Sequence, residues 1–143
     1  VYGNLEFVKE DNTNKVVRTW IGSQYKTEGF RKGWHPAHPT FYVKRNCYER
    51  LGGYDISFNI SADFELMLRF IEKFQISNAY LNRSFVKMRM GGESTGSISK
   101  IIEGNKNVLR AFRKNQISVS PFYPIIRLLP KAINLIKTKF GIK

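Results

Sequence analysis

Two runs of β-forming residues open the sequence, and they predict a β-hairpin. In VYGNLEFV, residues 1 to 8, successive side chains alternate between two faces, and Leu5 and Phe7 share one of them. The run NKVVRTWIG, residues 14 to 22, resumes the β-forming pattern after the turn-like EDNTN. We therefore expect two antiparallel strands joined by a short polar turn.

The remaining hydrophobic pattern predicts further strands and three helices. Residues 23 to 39 mix Gly, Pro and aromatic residues without a period, which indicates a long irregular loop. Strands are predicted at FYVKR (41 to 45), ISNAYL (76 to 81) and SFVKMRM (84 to 90), and helices at NCYERLGG (46 to 53), over about residues 62 to 74 and over residues 98 to 114. This order predicts an α/β fold, with a small mixed sheet and flanking helices.

The helix predicted over residues 62 to 74 has an acid at its start. Asp63, Met67, Phe70 and Phe74 fall on one helical face, although a carboxylate is costly to bury without a partner. Asp63 could cap free N–H groups at the positive end of the helix dipole. It could instead lie where the helix opens into a cleft, as a general base. Glu65, two residues on, points to nearly the opposite side, so the two acids are not expected to share an ion.

Length and composition indicate one globular domain. The chain has 143 residues and 16.6 kDa, with 42% hydrophobic and 14% aromatic residues, which suffices for one hydrophobic core. Its single cysteine, Cys47, has no second cysteine with which to form a disulfide or a metal site. A reducing, cytoplasmic location is the expectation from this cysteine content.

Positive charge is concentrated at the C-terminal end. Residues 100 to 143 hold ten of the 24 Lys and Arg residues and one acid, Glu103, so they carry +9 of the net +13. After SPFYP, residues 129 to 143 have the spacing of a basic amphipathic helix, with Leu129, Ile133, Ile136 and Phe140 on one face. Such a helix could pack on the domain, or lie on an anionic membrane surface. We divide the chain into a globular portion, 1 to 118, and a basic amphipathic tail, 119 to 143.

A series of motifs follows in order after the irregular loop. The segment HPTFYVKRNCYERLGGYDISFNISADFELMLRF, residues 38 to 70, contains a His-Pro start, a Tyr-x-x-x-Gly-Gly-Tyr-Asp sequence and an Ala-Asp pair, and MRMGGESTGS follows later. This order resembles the C-terminal, acceptor-side half of family 2 glycosyltransferases of the GT-A fold. Within that family, it looks most like the bacterial enzymes that build cell-surface polysaccharides. The resemblance covers roughly residues 1 to 118.

The resemblance implies an inverting transfer of a sugar from a nucleotide-diphosphate donor to an acceptor hydroxyl. Asp63 would be the catalytic base, and His38 would line the acceptor or diphosphate side of the cleft. Arg89 would lie near the donor phosphates, or would be a surface arginine on an edge strand. Gly92 and Ser94 belong to a turn whose direct contact with substrate stays open. Trp34 could stack on an acceptor sugar, or simply pack.

The sequence departs from the family pattern in one important respect. It contains no Asp-x-Asp motif, which in the family holds the cation and the donor diphosphate. The resemblance implies a divalent cation, Mg or Mn, for the complete enzyme, whereas the motif that would hold it is absent from this chain. We expect a fragment or a truncated gene product that binds donor poorly, with a glycan or a lipid-linked acceptor as its other partner.

Three other interpretations stay open. The charge could serve a nucleic-acid or membrane-surface binding module without catalysis, although no usual RNA or DNA motif is present and no nucleic acid is expected. The chain could complement a separate nucleotide-binding chain. His35 and His38 could form a metal site, but no third ligand lies nearby in the sequence.

Overall fold

The structure is a computed structural model, and it describes residues 1–90, 98–125 and 127. Strands and helices are mixed along this part of the chain, as the sequence predicts. The elements are β1 (Tyr2–Val8), β2 (Val16–Trp20), α1 (Arg45–Leu51), α2 (Ala62–Met67), β3 (Tyr80–Arg89) and α3 (Ile98–Lys114), with 3-10 turns at Phe30–Lys32 and His38–Thr40 and a π-helical segment at Leu68–Lys73.

The described strands form one small mixed sheet in the order β2-β1-β3. β1 and β2 are antiparallel, with Leu5 opposite Trp20, which confirms the predicted hairpin. β1 and β3 are parallel, with Val8 opposite Arg89. The sheet and its flanking helices confirm the predicted α/β class.

β1 is the central strand, and it carries buried apolar side chains on both of its faces. Leu5 and Phe7 pack with Ala37 in one small buried cluster. Tyr2 is fully buried, and its ring contacts that of Trp34. β2 is mostly exposed, which suits its position at the edge of the sheet.

The predicted strand at FYVKR is wrong. His38–Thr40 forms a 3-10 turn, and residues 41–44 have no regular structure. The Thr40 hydroxyl is the reason, because it accepts a hydrogen bond from the Gly3 N–H and lies 3.1 Å from the Gly3 carbonyl oxygen. The Thr40 side chain thus occupies the N–H and C=O groups of Gly3, with which a neighbouring strand would otherwise form hydrogen bonds.

In place of the two strands predicted over residues 76 to 90 there is one, and residues 76–79, where the first was predicted to begin, have no regular structure. β3 runs without a break from Tyr80 to Arg89 and pairs with β1, although its register shifts on either side of Asn4. The Asn4 side chain donates a hydrogen bond to Asn82 and accepts one from the Tyr80 hydroxyl. These bonds link the two strands at the irregularity.

The helix predicted over residues 62 to 74 changes type in its middle. After α2, the segment Leu68–Lys73 is π-helical, and the Phe74 N–H bonds to the Arg69 carbonyl five residues earlier. The wider turn shifts the following residue around the helix axis. Met67 and Phe70 are buried as predicted, whereas the Phe74 residue is 47% exposed, so its place on the buried stripe was wrongly predicted.

α3 spans the predicted residues and supplies much of the main core. Val108 and Phe112 are buried, whereas Ile101 and Ile102 in its early turns are about half exposed. The main core cluster contains Phe30, Phe58, Phe64, Met67, Leu68, Ile71, Val108, Ala111, Phe112, Ile117 and Tyr123. Tyr123 lies beyond residue 118, where we placed the end of the globular portion.

Replacing Tyr123 with phenylalanine is expected to preserve or raise stability. The Tyr123 hydroxyl is buried and finds no hydrogen-bond partner in the described part of the chain, and its ring packs 4.8 Å from that of Phe112. Removing an unsatisfied buried hydroxyl is neutral or gains about 1 kcal/mol. Urea unfolding at neutral pH measures the difference, and a loss above about 1 kcal/mol would show that the hydroxyl is satisfied.

The same substitution is expected to change the alkaline limb of the stability curve. Burial raises the pKa of Tyr123 to about 12, so the folded state favours the neutral phenol. Because the folded-state pKa is raised, the neutral phenol contributes its full stabilisation below the unfolded-state pKa of about 10. This contribution is lost as pH rises toward the folded-state pKa. The wild-type chain should therefore lose more stability than Tyr123→Phe above about pH 10.

Among the described residues, no helix combines the length and the apolar composition needed to cross a membrane.

Candidate functional site

Asp63 and His38 meet at the N-terminal end of α2. The Asp63 Oδ2 atom lies 3.1 Å from His38 Nδ1, although 25 positions separate the two residues in the sequence. The side chains are 35% and 56% exposed, respectively, so the pair is open to solvent on one side. Two residues that the sequence analysis selected separately are thus neighbours in space.

The backbone on either side explains why these side chains converge. His38 begins the 3-10 turn that the Thr40 hydroxyl fixes against β1. Ser61 precedes α2 with φ of 69° and ψ of 23°, a left-handed conformation that is uncommon for a residue other than glycine. The chain therefore enters α2 through a sharp turn, and Asp63 follows two residues later.

Asp63 does not act as the helix cap that one interpretation of the sequence allowed. The α2 N-terminus has no side-chain cap hydrogen bond, and the polar partner of Asp63 is His38. Its position in the first turn still places the carboxylate at the positive end of the helix dipole. The arrangement leaves a carboxylate that is partly exposed and able to accept a proton.

Aromatic residues pack beneath this pair. The Phe64 ring, adjacent to Asp63 in the sequence, contacts the rings of His35, Phe30 and Phe112 edge to face. The Arg127 guanidinium lies 5.5 Å from the Phe64 ring centroid, a cation-π distance. A packed aromatic floor therefore fixes the start of α2.

His35 and His38 face different surroundings. The His35 ring packs edge to face against Trp20 and Phe64, whereas His38 pairs with Asp63. The structure thus gives the two histidines separate environments and does not bring them together as a metal site.

Trp34 lies in an aromatic cluster. Its indole contacts the rings of Tyr2, Tyr25 and Phe30, and its N–H donates to the Ser23 hydroxyl at 2.9 Å. These contacts match the packing alternative. Stacking of Trp34 on an acceptor sugar stays a prediction.

The other selected residues lie at the end of β3 or beyond the described residues. Arg89 is the last residue of β3 and is exposed, opposite Val8 of β1. Gly92, Ser94 and the amphipathic segment 129–143 lie outside the described residues. Their proposed contacts with donor phosphates and with a membrane stay predictions.

A buried charge cluster on the other side of α2 was missed by the sequence analysis. Glu65 is fully buried, and its carboxylate accepts hydrogen bonds from Arg69 Nε at 3.1 Å and from Asn115 Nδ2 at 3.0 Å. Lys114 Nζ lies 3.4 Å from the same carboxylate. Asp63 and Glu65 therefore have different partners, as their helical spacing predicts. The i, i+4 spacing of Glu65 and Arg69 was the one available sequence signal.

Lys114 links this cluster to the loop between α1 and α2. Its ammonium lies 2.5 Å from Asp55 Oδ2, and the other Asp55 oxygen accepts the Ser57 N–H. The hydrogen bonds from Lys114 and Ser57 lower the pKa of Asp55. The loop is thus tied to the C-terminal end of α3.

The Asp55 pair predicts a pH dependence of stability. Because the folded-state pKa is lowered, the ionised carboxylate contributes its full stabilisation above the unfolded-state pKa of about 3.9. This contribution is lost as pH falls toward the folded-state pKa. The stability difference between wild type and Asp55→Asn should therefore shrink between about pH 5 and pH 2. Urea unfolding across that range measures it, with added salt as a second check because exposed pairs are screened. A difference that grows on acidification would contradict the assignment.

The described residues do not provide a donor set for the expected Mg or Mn ion. No group of three or more His, Cys, Asp or Glu side chains is placed to hold a metal ion in residues 1–90, 98–125 and 127. His38 and Asp63 offer one nitrogen and one carboxylate, whereas Mg²⁺ prefers a shell of oxygen atoms.

Comparison with models of known protein families found no match, and comparisons with curated proteins and with solved structures found none either. The case for a function therefore rests on the residues and geometry of this chain.

Proposed function

We propose that this chain is the acceptor-side portion of an inverting glycosyltransferase of family 2, with a partial GT-A fold, and that Asp63 is its general base. The observation that carries the proposal is the Asp63 carboxylate beside His38 at the open N-terminal end of α2. The motif order from residue 38 to residue 70 suggests the reaction class, and the contact between its first and last motifs, at His38 and Asp63, supports it.

The proposed step needs one proton acceptor. An acceptor hydroxyl lies against Asp63, whose carboxylate takes the proton as the hydroxyl oxygen attacks the anomeric carbon of the donor sugar. The bond from that carbon to the diphosphate oxygen breaks on the opposite face, and the nucleoside diphosphate leaves with the electron pair. The sugar is transferred with inverted configuration, and Asp63 later releases its proton to solvent.

His38 orients the base. In the tautomer with hydrogen on Nδ1, the imidazole donates to Asp63 Oδ2 and restricts the rotation of the carboxylate. The exposed fraction of Asp63 is large enough for an acceptor to approach. His38 thus has a positioning role, and Asp63 has the chemical one.

The donor side is proposed to lie largely outside these 143 residues. Since the sequence has no Asp-x-Asp, we place the Mg or Mn ion and most diphosphate contacts on other residues. Arg89, Gly92 and Ser94 are proposed as this chain's contribution to the donor phosphates, and Trp34 as a contact for the acceptor sugar.

A membrane-associated acceptor is the proposed partner. The segment 129–143 is basic and amphipathic in sequence, which suits the headgroup region of an anionic leaflet. We place the protein at the cytoplasmic face of a bacterial membrane, in the synthesis of surface polysaccharide or glycolipid from a lipid-linked or glycan acceptor.

The proposal is tested on the protein as its source cells make it. The purified protein is incubated with Mn²⁺, membranes of the source cells as acceptor, and UDP-glucose, UDP-galactose, UDP-N-acetylglucosamine, GDP-mannose or dTDP-rhamnose in turn. Acceptor-dependent release of nucleoside diphosphate from at least one donor is expected, with inverted anomeric configuration in the product. No acceptor-dependent release from any donor, or a product of retained configuration, would contradict the proposal.

A binding module without catalysis is the second candidate, because the net charge of +13 favours contact with anionic surfaces. Oligonucleotide binding that weakens steeply with salt, and that exceeds binding to anionic vesicles, would favour this candidate.

A further inference from the structure

Arg69 makes an unusual set of contacts for a single side chain. It is 8% exposed, its Nε lies 3.1 Å from Glu65 Oε1, and its Nη2 lies 3.3 Å from Glu65 Oε2. The outer nitrogen atoms also donate to the backbone carbonyls of three successive residues: Leu51, Gly52 at 3.1 Å and Gly53 at 2.6 Å. The planar guanidinium thereby joins α2 to the end of α1.

The Leu51 carbonyl belongs to the last turn of α1, whose final carbonyls have no partner within the helix, and the Gly52 and Gly53 carbonyls follow directly after it. α1 ends at Leu51, and Gly52 follows with φ of 82°, a conformation that glycine adopts without strain. A cation is favoured at this end of a helix because of its partial negative charge. Arg69 therefore fixes the point at which the chain leaves α1.

The loop that starts there lies along one face of α3. Four side-chain contacts follow each other in antiparallel order along the helix. They are Asp55 with Lys114, Ser57 with Arg110, the Ile60 carbonyl with Asn107, and the Ser61 hydroxyl with the Gly104 carbonyl. The loop runs between the Arg69 contact and the left-handed Ser61 that precedes Asp63.

We propose that Arg69 is the positioning residue for Asp63, acting through the loop of residues 52 to 61. Arg69 fixes the start of the loop and, through Glu65, fixes α2 at the same time. The loop then has one path along α3 into the strained turn at Ser61. That path sets the direction in which Asp63 leaves the helix and its distance from His38.

The inference rests on the proposed function only for its catalytic consequence, since the effect on geometry can be measured without activity. The chain has two histidines, so the two ring C2–H resonances can be assigned with His38→Gln. Asp63→Asn shows how far the His38 resonance moves when the carboxylate is lost. The His38 resonance is therefore a direct probe of the carboxylate beside it.

The test variant is Arg69→Lys, which keeps the charge opposite Glu65 but loses the planar set of donors. Arg31→Lys is the matched control, because Arg31 is an exposed arginine whose ion-pair partners are Glu28 and Glu72. All spectra and assays are recorded well below each unfolding midpoint. If Arg69→Lys does not fold, the second variant is the double substitution Glu65→Gln with Arg69→Gln, which removes the donors to the Leu51, Gly52 and Gly53 carbonyls but leaves neither member of the buried pair as an unpaired charge.

In Arg69→Lys, the His38 resonance is expected to move in the direction of Asp63→Asn, while the His35 resonance stays in place. A kcat lower by on the order of 10²-fold is expected with little change in the KM for donor, because a small misplacement of a catalytic group has that cost. Arg31→Lys should change neither.

An unmoved His38 resonance in folded Arg69→Lys or in the folded double variant would overturn the proposal, as would wild-type kcat in an active protein. A shifted resonance in a protein whose wild type transfers no sugar would uphold the positioning role and reject the proposed function.

Discussion

Replacing Glu65 with alanine is expected to lower the free energy of unfolding by about 3–5 kcal/mol, the usual cost of breaking a buried ion pair by removing one partner. The substitution leaves the Arg69 guanidinium buried without its counter-ion. It also removes one of the two acceptors of the Asn115 amide, which lies 50 residues away in the sequence and also donates to the Ala111 carbonyl. Such a loss is a large part of the 5–15 kcal/mol that holds a typical domain folded.

Urea unfolding of wild type and Glu65→Ala measures this loss, with Glu103→Ala as the control. Glu103 is also an acid but is exposed on α3, so its removal should change stability by no more than about 0.5 kcal/mol. Glu65→Gln, which keeps one acceptor oxygen and the side-chain volume, should cost less than alanine. Equal midpoints for Glu65→Ala and Glu103→Ala would contradict the structural role of the cluster.

Asp63→Asn is expected to lower kcat of the transfer by about 10²–10⁴-fold, the usual contribution of a general base. The amide has nearly the shape of the carboxylate but cannot accept the proton of the acceptor hydroxyl. Donor binding should be retained, because the proposed role of Asp63 is toward the acceptor. His38→Gln should have a smaller effect, since His38 orients the base and does not take the proton.

The control for this substitution is Asp11→Asn, the same change at an exposed position in the turn between β1 and β2. Initial rates at saturating donor and acceptor separate kcat from KM. A fall in rate shared by Asp11→Asn would mean that loss of any surface acid has the effect. That result would remove Asp63 from the mechanism.

Local patterns in the sequence predicted the elements whose partners are close in the chain. The hairpin of β1 and β2 and the whole of α3 follow from alternation and helical spacing over a few residues. The strand predicted at FYVKR failed because Thr40 bonds to the β1 backbone, 37 residues away. The break predicted between two strands within residues 76 to 90 is absent because β3 continues through it. The Tyr80 hydroxyl of β3 donates to the Asn4 side chain of β1 and links the two strands there.

The residues of the candidate site could be predicted from the sequence, but their arrangement in space could not. The motif order pointed to Asp63 and His38 individually, whereas their contact depends on the turn at Ser61, which no local pattern in the sequence indicates. The Glu65 and Arg69 pair has a visible helical spacing. Their further bonds to Asn115 and to the carbonyls of Leu51, Gly52 and Gly53 depend on tertiary packing.

The most direct test of the central claim separates binding from chemistry at Asp63. Single-turnover transfer from a saturating, labelled donor sugar identified in the panel is measured for wild type and Asp63→Asn, together with the donor dissociation constant of each. The account predicts equal donor binding and a transfer rate lower by at least about 10²-fold in Asp63→Asn. Equal transfer rates in the two proteins would contradict it.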